Sequence, residues 1–376
     1  MLIHEDGREA FFDATGSRDV EAGLPMTRDT IVRIYSMTKP IVSVALMKLV
    51  EQGLFPLSAP VSDFIPEFSD MQALVRGAAR IDQTEPTRAP TLHELLTHTS
   101  GLSYPFNPGL LGAAMDEADI VFRPNAAPLA SEVTRLAQLP LAFQPGVRWE
   151  YSVGIDVIGR VIEVASGERL DQFLQAQLFD PLGMTHTSFA VPQSAGDRFA
   201  ALYTPLAGNA MALNEAQKGG ESLRRVDGPG GSPFESPTCL SGGGGLVGTL
   251  DDYMAFCEML ASGGLAGQER ILSAATLAFM LRNHLPSDIA SMGPTSFAEQ
   301  PMDGMGFGIG GSVVLDPARA GVPGSVGDFA WGGMASTMFW IDPTHRLSVV
   351  FFTQLSPSSS YPSRAELKAI VHGALI

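Results

Sequence analysis

The sequence predicts an α/β protein in which strands from both chain ends build one domain and a helix-rich segment is inserted between them. Near the N-terminus, residues 2–12 alternate loosely in hydrophobicity around Asp6-Gly7, which is typical of a strand–turn–strand unit. The last third contains three further strand-like segments punctuated by Gly, Pro and Asp: 307–317, 329–343 and 346–355. Helical patterns dominate between these ends, and this order favours an α/β domain with an insertion.

The first helix is predicted over residues 36–53. Apolar side chains between Ile41 and Val50 fall on every face, so this helix should be buried on all sides, and Gly53 closes it. Shorter helical patterns follow at 91–96, 131–139, 155–165 and 170–178, then a loop-like stretch at 206–245, a helix capped near Thr249 and a last helix over 363–375. We expect residues 1–55 and 240–376 to form the α/β domain and residues 56–239 the inserted one.

Composition excludes several classes of protein. The chain has 376 residues, 45% hydrophobic and 17% charged, which is too apolar for a disordered chain. Its formal net charge of −16 would repel nucleic acid and anionic lipid, so neither is an expected partner. The N-terminus shows no signal-peptide pattern, and Cys239 and Cys257 are expected as buried, unpaired side chains, so we expect a cytoplasmic protein.

Metal and phosphate chemistry are weakly supported by the motifs. His93 and His98 are five residues apart, which rotates the second histidine off the helix face that a zincin ligand pair needs. The glycine run 242–245 is not followed by the Lys-Ser/Thr of a phosphate loop. We therefore expect no metal and no cofactor. No serine lies in G-x-S-x-G, so a serine nucleophile would need another form of activation.

Ser36-Met37-Thr38-Lys39 offers that activation. An S-x-x-K sequence on a helix places Ser36 and Lys39 one turn apart on the same face. The positive end of the helix dipole would stabilise negative charge at Ser36, and burial would help Lys39 to accept a proton. Alone the motif is weak, since a capping serine beside a solvated lysine gives the same pattern. Pro40 conflicts with a helix here, and such conflicts collect at functional sites.

Two further candidates lie far along the chain. Tyr151 stands at a predicted loop–helix junction in Tyr-Ser-Val, where plain packing is the alternative. Trp331-Gly332-Gly333 lies on a predicted strand whose glycines would let a ligand or another backbone approach, and a twisted strand is the alternative there.

Together, SMTK (36–39), YSV (151–153) and WGG (331–333) resemble the motifs of the serine β-lactamase and penicillin-binding-protein superfamily. The branch that they resemble is the family VIII carboxylesterases, relatives of the class C β-lactamases. The likeness includes LHELLTHTSGLSY, QPGVRWEYSVGIDVIGRVIE and SGGGGLVGTLDDYMAF and spans almost the whole chain. It implies an antiparallel sheet flanked by helices beside a mostly helical domain, with the site in the cleft between them.

The resemblance also implies roles for individual residues. Ser36 would be the acylated nucleophile, Lys39 its proton partner and Tyr151 the general base. The backbone N–H groups of Ser36 and Met334 would form the oxyanion hole. Trp331, Gly332, Gly333 and Val153 would contact the substrate.

Three features depart from the β-lactamase pattern. Trp331 stands where those enzymes have a lysine that holds a substrate carboxylate, and Val153 stands where they have an asparagine. Both changes favour an uncharged ester over an anionic lactam, and we expect an apolar rim without lysine at Trp331. The N-terminal helix usual in the family is not visible, so a packing partner of the C-terminal helix is expected to be missing.

The function that the sequence predicts is a serine carboxylesterase that hydrolyses short-chain esters, with a small-molecule ester as its partner. Two alternatives remain: a β-lactamase or D-amino-acid peptidase, and a binding or scaffold protein that kept the fold. A scaffold has no physical reason to keep Ser36, Lys39 and Tyr151 together.

Overall fold

The computed structural model describes residues 1–205, 223–297, 300–360 and 362–375. Much of the stretch predicted as loop, residues 206–222, lies outside these ranges. The helices are α1 Thr38–Glu51, α2 Leu92–Leu96, α3 Leu110–Glu117, α4 Leu129–Leu136, α5 Gly154–Ser166, α6 Leu170–Leu174, α7 Asp180–Leu182, α8 Leu250–Ala261, α9 Ala274–Met280, α10 Ile289–Met292, α11 Pro317–Ala320 and α12 Ser363–Gly373.

The strands are β1 Leu2–Glu5, β2 Arg8–Phe12, β3 Ser17–Asp19, β4 Leu24–Pro25, β5 Val32–Arg33, β6 Gln72–Leu74, β7 Thr84–Pro86, β8 Leu202–Pro205, β9 Leu223–Asp227, β10 Val247–Gly248, β11 Leu265–Ala266, β12 Glu269–Arg270, β13 Ser296–Phe297, β14 Gln300–Pro301, β15 Met305–Phe307, β16 Ser312–Val314, β17 Phe329–Gly333, β18 Thr337–Asp342 and β19 Leu347–Phe351. Seven of them form an antiparallel sheet in the order β15-β16-β17-β18-β19-β1-β2. The fold class is mixed α/β, as predicted.

The two chain ends meet in the middle of this sheet. β1 pairs with β19, with Leu2 opposite Val350, and both side chains are fully buried. The hairpin between β1 and β2 turns at Asp6 and Gly7, whose φ angles of 54° and 71° are typical of a tight reversal. The predicted strand–turn–strand unit is therefore confirmed.

The prediction of a single strand was wrong for two of the three C-terminal segments. Residues 329–343 form β17 and β18, which reverse at Ser336 with a φ of 59°. Residues 307–317 begin at the last residue of β15, turn through Gly310 with a φ of 91°, and continue as β16. In both segments a residue able to adopt positive φ breaks an apolar run that looks continuous in sequence.

Helix α1 is surrounded by protein, as its sequence predicts. It begins two residues later than predicted, because Tyr35–Met37 form a separate turn of 3₁₀ helix. Pro40 is the third residue of α1, where the backbone N–H would have no intrahelical partner. The proline therefore does not strain the helix. The unusual backbone lies at Tyr35, whose φ is 43°.

Helices cover both faces of the sheet. On one face, α8 packs against β19, β18 and β1. On the other, Val371 and Leu367 of α12 pack around Trp340 and Val349. Helix α5 joins α1 to the helices of the middle segment, contacting α1, α2, α4 and α6. Cys239 and Cys257 are buried and unpaired, as expected. No helix in the described ranges is long and apolar enough to cross a membrane.

Candidate active site

Ser36 Oγ lies at the meeting point of two other predicted residues. Tyr151 Oη donates a hydrogen bond to it at 2.7 Å, and Lys39 Nζ donates another at 3.2 Å. Tyr151 reaches this point from the segment just before α5, 115 residues further along the chain. Ser36 lies in the 3₁₀ turn that leads into α1, directly after the positive-φ Tyr35. Backbone strain of this kind clusters at functional sites.

Lys39 is fully buried and has three acceptors. Besides Ser36, its Nζ donates to the Gly243 carbonyl at 2.6 Å and to Tyr104 Oη at 2.9 Å. The ammonium also lies 4.7 Å from the centre of the Tyr151 ring, within the range of a cation–π contact. All three ammonium hydrogens therefore have partners, and the lysine is held in one position beneath the serine.

Asp156 of α5 orients the backbone that holds Lys39. Its Oδ1 accepts hydrogen bonds from Gly243 N at 2.9 Å and from Ser241 Oγ at 2.5 Å. Burial raises the pKa of the Asp156 carboxyl, and the charge of Lys39 lowers it. Gly243 thus links the buried Asp156 carboxyl group, through its N–H, to the Lys39 ammonium, through its carbonyl.

The ring of Tyr151 packs in a cluster of aromatic side chains. The ring centroids of His98, Phe297 and Trp331 lie 4.8, 4.9 and 5.5 Å from it. His98 Nδ1 lies 3.2 Å from Ser152 N, which donates to it, and 3.0 Å from Ser152 Oγ. Burial, followed by the charge of Lys39, holds the pKa of His98 well below its usual range, so this histidine is neutral.

Strand β17 forms the wall opposite Tyr151. Its last residues run beside the 3₁₀ turn that contains Ser36. A Cβ atom at Gly333 would collide with the carbonyl oxygen of Ile34, so glycine is required for this approach. Trp331 stacks on Phe297 with centroids 6.0 Å apart, and Met334 is the first residue after the strand.

A cavity of about 670 Å³ opens over these groups. This volume lies within the range of roughly 300–1,000 Å³ that is typical of small-molecule sites. Ser36, Tyr151, Gly332, Gly333 and Met334 line it together with Trp331. Much of its wall is aromatic, contributed by Tyr104, Phe106, Phe122, Tyr151, Phe297 and Trp331.

Two expectations about this cavity need correction. Val153 does not line it: the side chain is 1% exposed and packs in the main hydrophobic core, because the chain turns into α5 at this residue. The lining also includes basic residues, namely Arg123, Arg364 and Lys368. Lys368 Nζ is paired with Asp328 Oδ2 at 2.9 Å. No sequence motif marks these basic residues, because it is the packing of α12 and of the segment before α4 that brings them to the cavity.

Sequence reasoning did not single out Tyr104, Asp156 or Gly243. Tyr104 stands in the segment LHELLTHTSGLSY and Gly243 in the glycine run, so both lie in stretches that resemble the family. Only the fold shows that they surround one ammonium group. The histidines of the supposed zincin-like segment are also separated: His93 Nε2 faces His284 Nδ1 at 3.0 Å, whereas His98 packs on Tyr151.

Comparison with known proteins gives related sequences and folds over nearly the whole chain. The family described as Beta-lactamase matches residues 1–373. Esterase EstB of Burkholderia gladioli is 33% identical over 364 residues, which cover 94% of this chain and 84% of EstB. The lovastatin esterase of Penicillium rubens is 30% identical over 362 residues, covering 91% and 84%.

Among solved structures, EstCE1 is described as a hydrolase with promiscuous acyltransferase activity. It matches with a TM-score of 0.77 and 29% identity over 98% of this chain and 91% of its own. The chain therefore belongs to the Beta-lactamase family and is a serine hydrolase of the family VIII carboxylesterase type.

Proposed function

We propose that this enzyme hydrolyses short-chain carboxylic esters through a covalent acyl intermediate on Ser36. The observation that carries the proposal is the convergence of Tyr151 Oη, at 2.7 Å, and Lys39 Nζ, at 3.2 Å, on one serine oxygen. A hydroxyl in direct contact with a tyrosine oxygen and an ammonium has beside it a group that accepts its proton when in the phenolate form, and a positive charge.

The reaction divides into acylation and deacylation. Ser36 Oγ bonds to the ester carbonyl carbon while its proton passes to Tyr151 Oη, which acts as a phenolate in this step, and the resulting phenol then protonates the departing alkoxide. In the second half water attacks the acyl-serine, Tyr151 takes a proton from that water, and it passes the proton to Ser36 Oγ as the carboxylic acid leaves. The backbone N–H groups of Ser36 and Met334 are the proposed oxyanion donors, because both residues line the cavity on the side of β17.

The cavity supports a small uncharged acyl group. Next to the serine its wall is formed by Tyr151, Trp331 and Phe297, and an indole there offers a substrate carboxylate no countercharge. Arg123, Arg364 and Lys368 belong to the same lining, so the preference for uncharged esters depends on Trp331 and not on a lack of basic residues. Turnover of β-lactams is proposed as weak.

Intact-mass analysis after treatment with a serine-reactive phosphonate tests the nucleophile. We expect one adduct on the parent enzyme and none on Ser36→Ala, whose ester hydrolysis should also be abolished. Ser100→Ala is the matched control, since Ser100 is fully buried and is not part of the cavity lining, and it should keep both labelling and activity. Labelled or active Ser36→Ala protein would move the nucleophile elsewhere.

Relative rates on p-nitrophenyl butyrate and laurate, a succinate half-ester and a chromogenic cephalosporin test the substrate class. We expect kcat/KM to be highest for butyrate. A preference for laurate or the half-ester would contradict the proposed acyl pocket, and a preference for the cephalosporin would identify a β-lactamase.

Acyl transfer to an alcohol is a second candidate. The catalytic serine opens into a cavity large enough for an acceptor as well as an acyl group, and the similar structure EstCE1 is described as having promiscuous acyltransferase activity. Adding butanol to the butyrate assay and measuring butyl butyrate would detect it. Free butyrate as the sole product would restrict the enzyme to hydrolysis.

A further inference from the structure

A second polar cluster lies at the far end of β18 from the catalytic serine. Asp342 ends that strand, His345 follows in the turn to β19, and His372 comes from the last turn of α12. β18 starts at Thr337 near the catalytic wall, so five residues of extended chain separate the cluster from it, roughly 16 Å. None of these three residues takes part in the catalytic arrangement described above.

The Asp342 carboxylate is fully buried and its two oxygens are used differently. Oδ1 accepts hydrogen bonds from the backbone N–H groups of Thr344, at 2.9 Å, and His345, at 3.0 Å. Those contacts fix the carboxylate and turn Oδ2 toward three other polar atoms. They are His345 Nδ1 at 2.8 Å, Ser325 Oγ at 2.9 Å and His372 Nε2 at 3.1 Å.

The other nitrogen of His372 determines what can occupy this point. His372 Nδ1 lies 2.8 Å from the carbonyl oxygen of Lys368, which can only accept, so Nδ1 carries a hydrogen. In the neutral ring Nε2 then has a lone pair, and it faces a carboxylate oxygen at 3.1 Å. Two acceptors in this arrangement need a cation between them, either a second proton on the ring or a metal ion.

The charge of the surroundings also calls for a cation. A neighbouring buried acid, Asp328, is already paired with Lys368, with Oδ2 and Nζ 2.9 Å apart. Asp342 with two neutral imidazoles therefore leaves one net negative charge in a buried place, which is unfavourable unless it is compensated.

The donor set and its spacing suit a divalent transition metal. Two imidazole nitrogens and one carboxylate oxygen are typical zinc ligands, with bonds of about 2.0–2.1 Å that put tetrahedral ligand atoms about 3.3 Å apart. The ligand atoms of Asp342, His345 and His372 all lie within 4.8 Å of one another. Lys368 and the backbone of the turn supply the outer contacts that orient metal ligands in proteins. The side chain of His345 is 43% exposed, which leaves a route from solvent.

We propose that Asp342, His345 and His372 bind one divalent transition-metal ion such as Zn²⁺, which fastens α12 to the end of the sheet. Ser325 Oγ or a water molecule would complete a tetrahedral set. The ion would have a structural role. By holding α12 in place, it would also position Arg364 and Lys368, two residues of the cavity lining that α12 carries. The proposed metal site takes no part in the acyl chemistry, so its test does not depend on the proposed esterase function.

Zinc binding to untagged full-length protein, stripped with a chelator and dialysed, tests this directly. Titration with Zn²⁺ against a chromogenic chelator should give one ion per chain, and the ion should raise the melting temperature. His345→Gln alters a half-exposed side chain and leaves the buried pair in place, so it should fold, and we expect it to bind zinc at least tenfold more weakly. His186→Gln is the matched control and should bind as the parent does.

Four results would overturn the proposal. The parent could bind no zinc, or His345→Gln could bind it as tightly as the parent. The stripped protein could also melt at a higher temperature as the pH falls from 8 to 6 while zinc adds nothing. In that third case a second proton on His372 occupies the gap. Loss of zinc from His284→Gln instead would place the ion at the contact between His93 and His284.

Discussion

At the scale of single residues, the contacts of Lys39 and Tyr151 suit them to different proposed roles at Ser36. Lys39 has two acceptors besides the serine, Gly243 and Tyr104, so its ammonium is held in place, and its proposed role is that of a fixed positive charge. Tyr151 Oη has the shorter contact with Ser36 Oγ and lines the cavity that the leaving group enters. The tyrosine is therefore better placed to carry a proton from nucleophile to leaving group.

This division predicts different losses on mutation. Tyr151→Phe should lower kcat by about 10²-fold or more with little change in KM, because a general base acts in the transition state. Lys39→Ala should lower kcat at least as much and also reduce stability, since Ser36 Oγ, Tyr104 Oη and the Gly243 carbonyl each lose a donor. Steady-state kinetics and thermal melting separate the two effects. Tyr203→Phe, which removes a hydroxyl far from Ser36, should remain active; a Tyr151→Phe enzyme as active as the parent would leave Lys39 as the sole base.

The residues that sequence could predict at this scale are those in the three short motifs. Ser36, Lys39 and Tyr151 meet as the motifs imply. The prediction that Val153 contacts the substrate was wrong, because a motif position does not determine which way a side chain points where a loop enters a helix. Tyr104 and Asp156 have no motif of their own, and only tertiary packing brings them to Lys39.

At the scale of elements, the site depends on the close approach of β17 to the turn before α1. Gly333 permits this approach, since a Cβ there would overlap the Ile34 carbonyl oxygen and Thr337 Oγ1. Helices and strands were predicted well where periodicity is long, as for α1 and α5. They were predicted poorly where one positive-φ residue splits an apolar run, as at Ser336.

Gly333→Ala should therefore damage both stability and catalysis. Overpacking of this kind costs about 1–3 kcal/mol, and a shifted β17 would displace the Met334 N–H from the proposed oxyanion site. The unfolding free energy and kcat with butyrate measure the two effects. Gly196→Ala is the control, because a Cβ there meets nothing within 4 Å. Equal kcat in Gly333→Ala and the parent would remove β17 from the oxyanion site.

The segment after α2 gives the protein a pH dependence through His98. Burial and the charge of Lys39 lower the pKa of His98, so the unfolded chain takes up a proton below about pH 6.5 while the folded chain does not. The unfolding free energy should accordingly be highest above pH 6.5 and fall as the pH drops, by up to about 1.4 kcal/mol per pH unit from this group.

Urea unfolding at several pH values measures that slope. His98→Asn should make it shallower even if the variant is less stable overall, because asparagine tolerates the φ of 57° at this position and does not titrate. His186→Asn should leave the slope closer to that of the parent. An unchanged slope in His98→Asn would mean that other groups produce the pH dependence.

At the scale of the whole molecule, one cavity collects residues from distant parts of the chain. Ser36 comes from near the N-terminus, Tyr151 from the middle, and Trp331 and Lys368 from the C-terminal third. The sequence predicted the sheet from both ends because its strands are strongly patterned. It did not predict the basic side of the cavity, since Arg364 and Lys368 lie on a helix whose docking on the sheet decides what they face.

That arrangement changes how ester and lactam specificity should be tested. The family pattern points to Trp331→Lys combined with Val153→Asn as a route toward lactam hydrolysis. Val153 is buried in the core, so Val153→Asn would place an unpartnered amide there and lower stability by about 1–3 kcal/mol without reaching a substrate. Trp331→Lys is the informative single change, because the Trp331 ring lies in the cavity 5.5 Å from that of Tyr151.

Trp331→Lys should raise kcat/KM for a chromogenic cephalosporin by about tenfold or more. A hydrogen bond to a charged group contributes about 1.5–3 kcal/mol, and 1.4 kcal/mol is tenfold. Butyrate hydrolysis should fall, because the indole that packs against the acyl pocket is lost. Trp331→Leu is the control: it removes the same ring without adding a charge, so it should lose butyrate activity and gain nothing on the lactam. If folded Trp331→Lys and Trp331→Leu act alike on the cephalosporin, charge at this position does not decide between the substrates. The cation that holds a lactam carboxylate would then have to be another basic residue of the cavity lining.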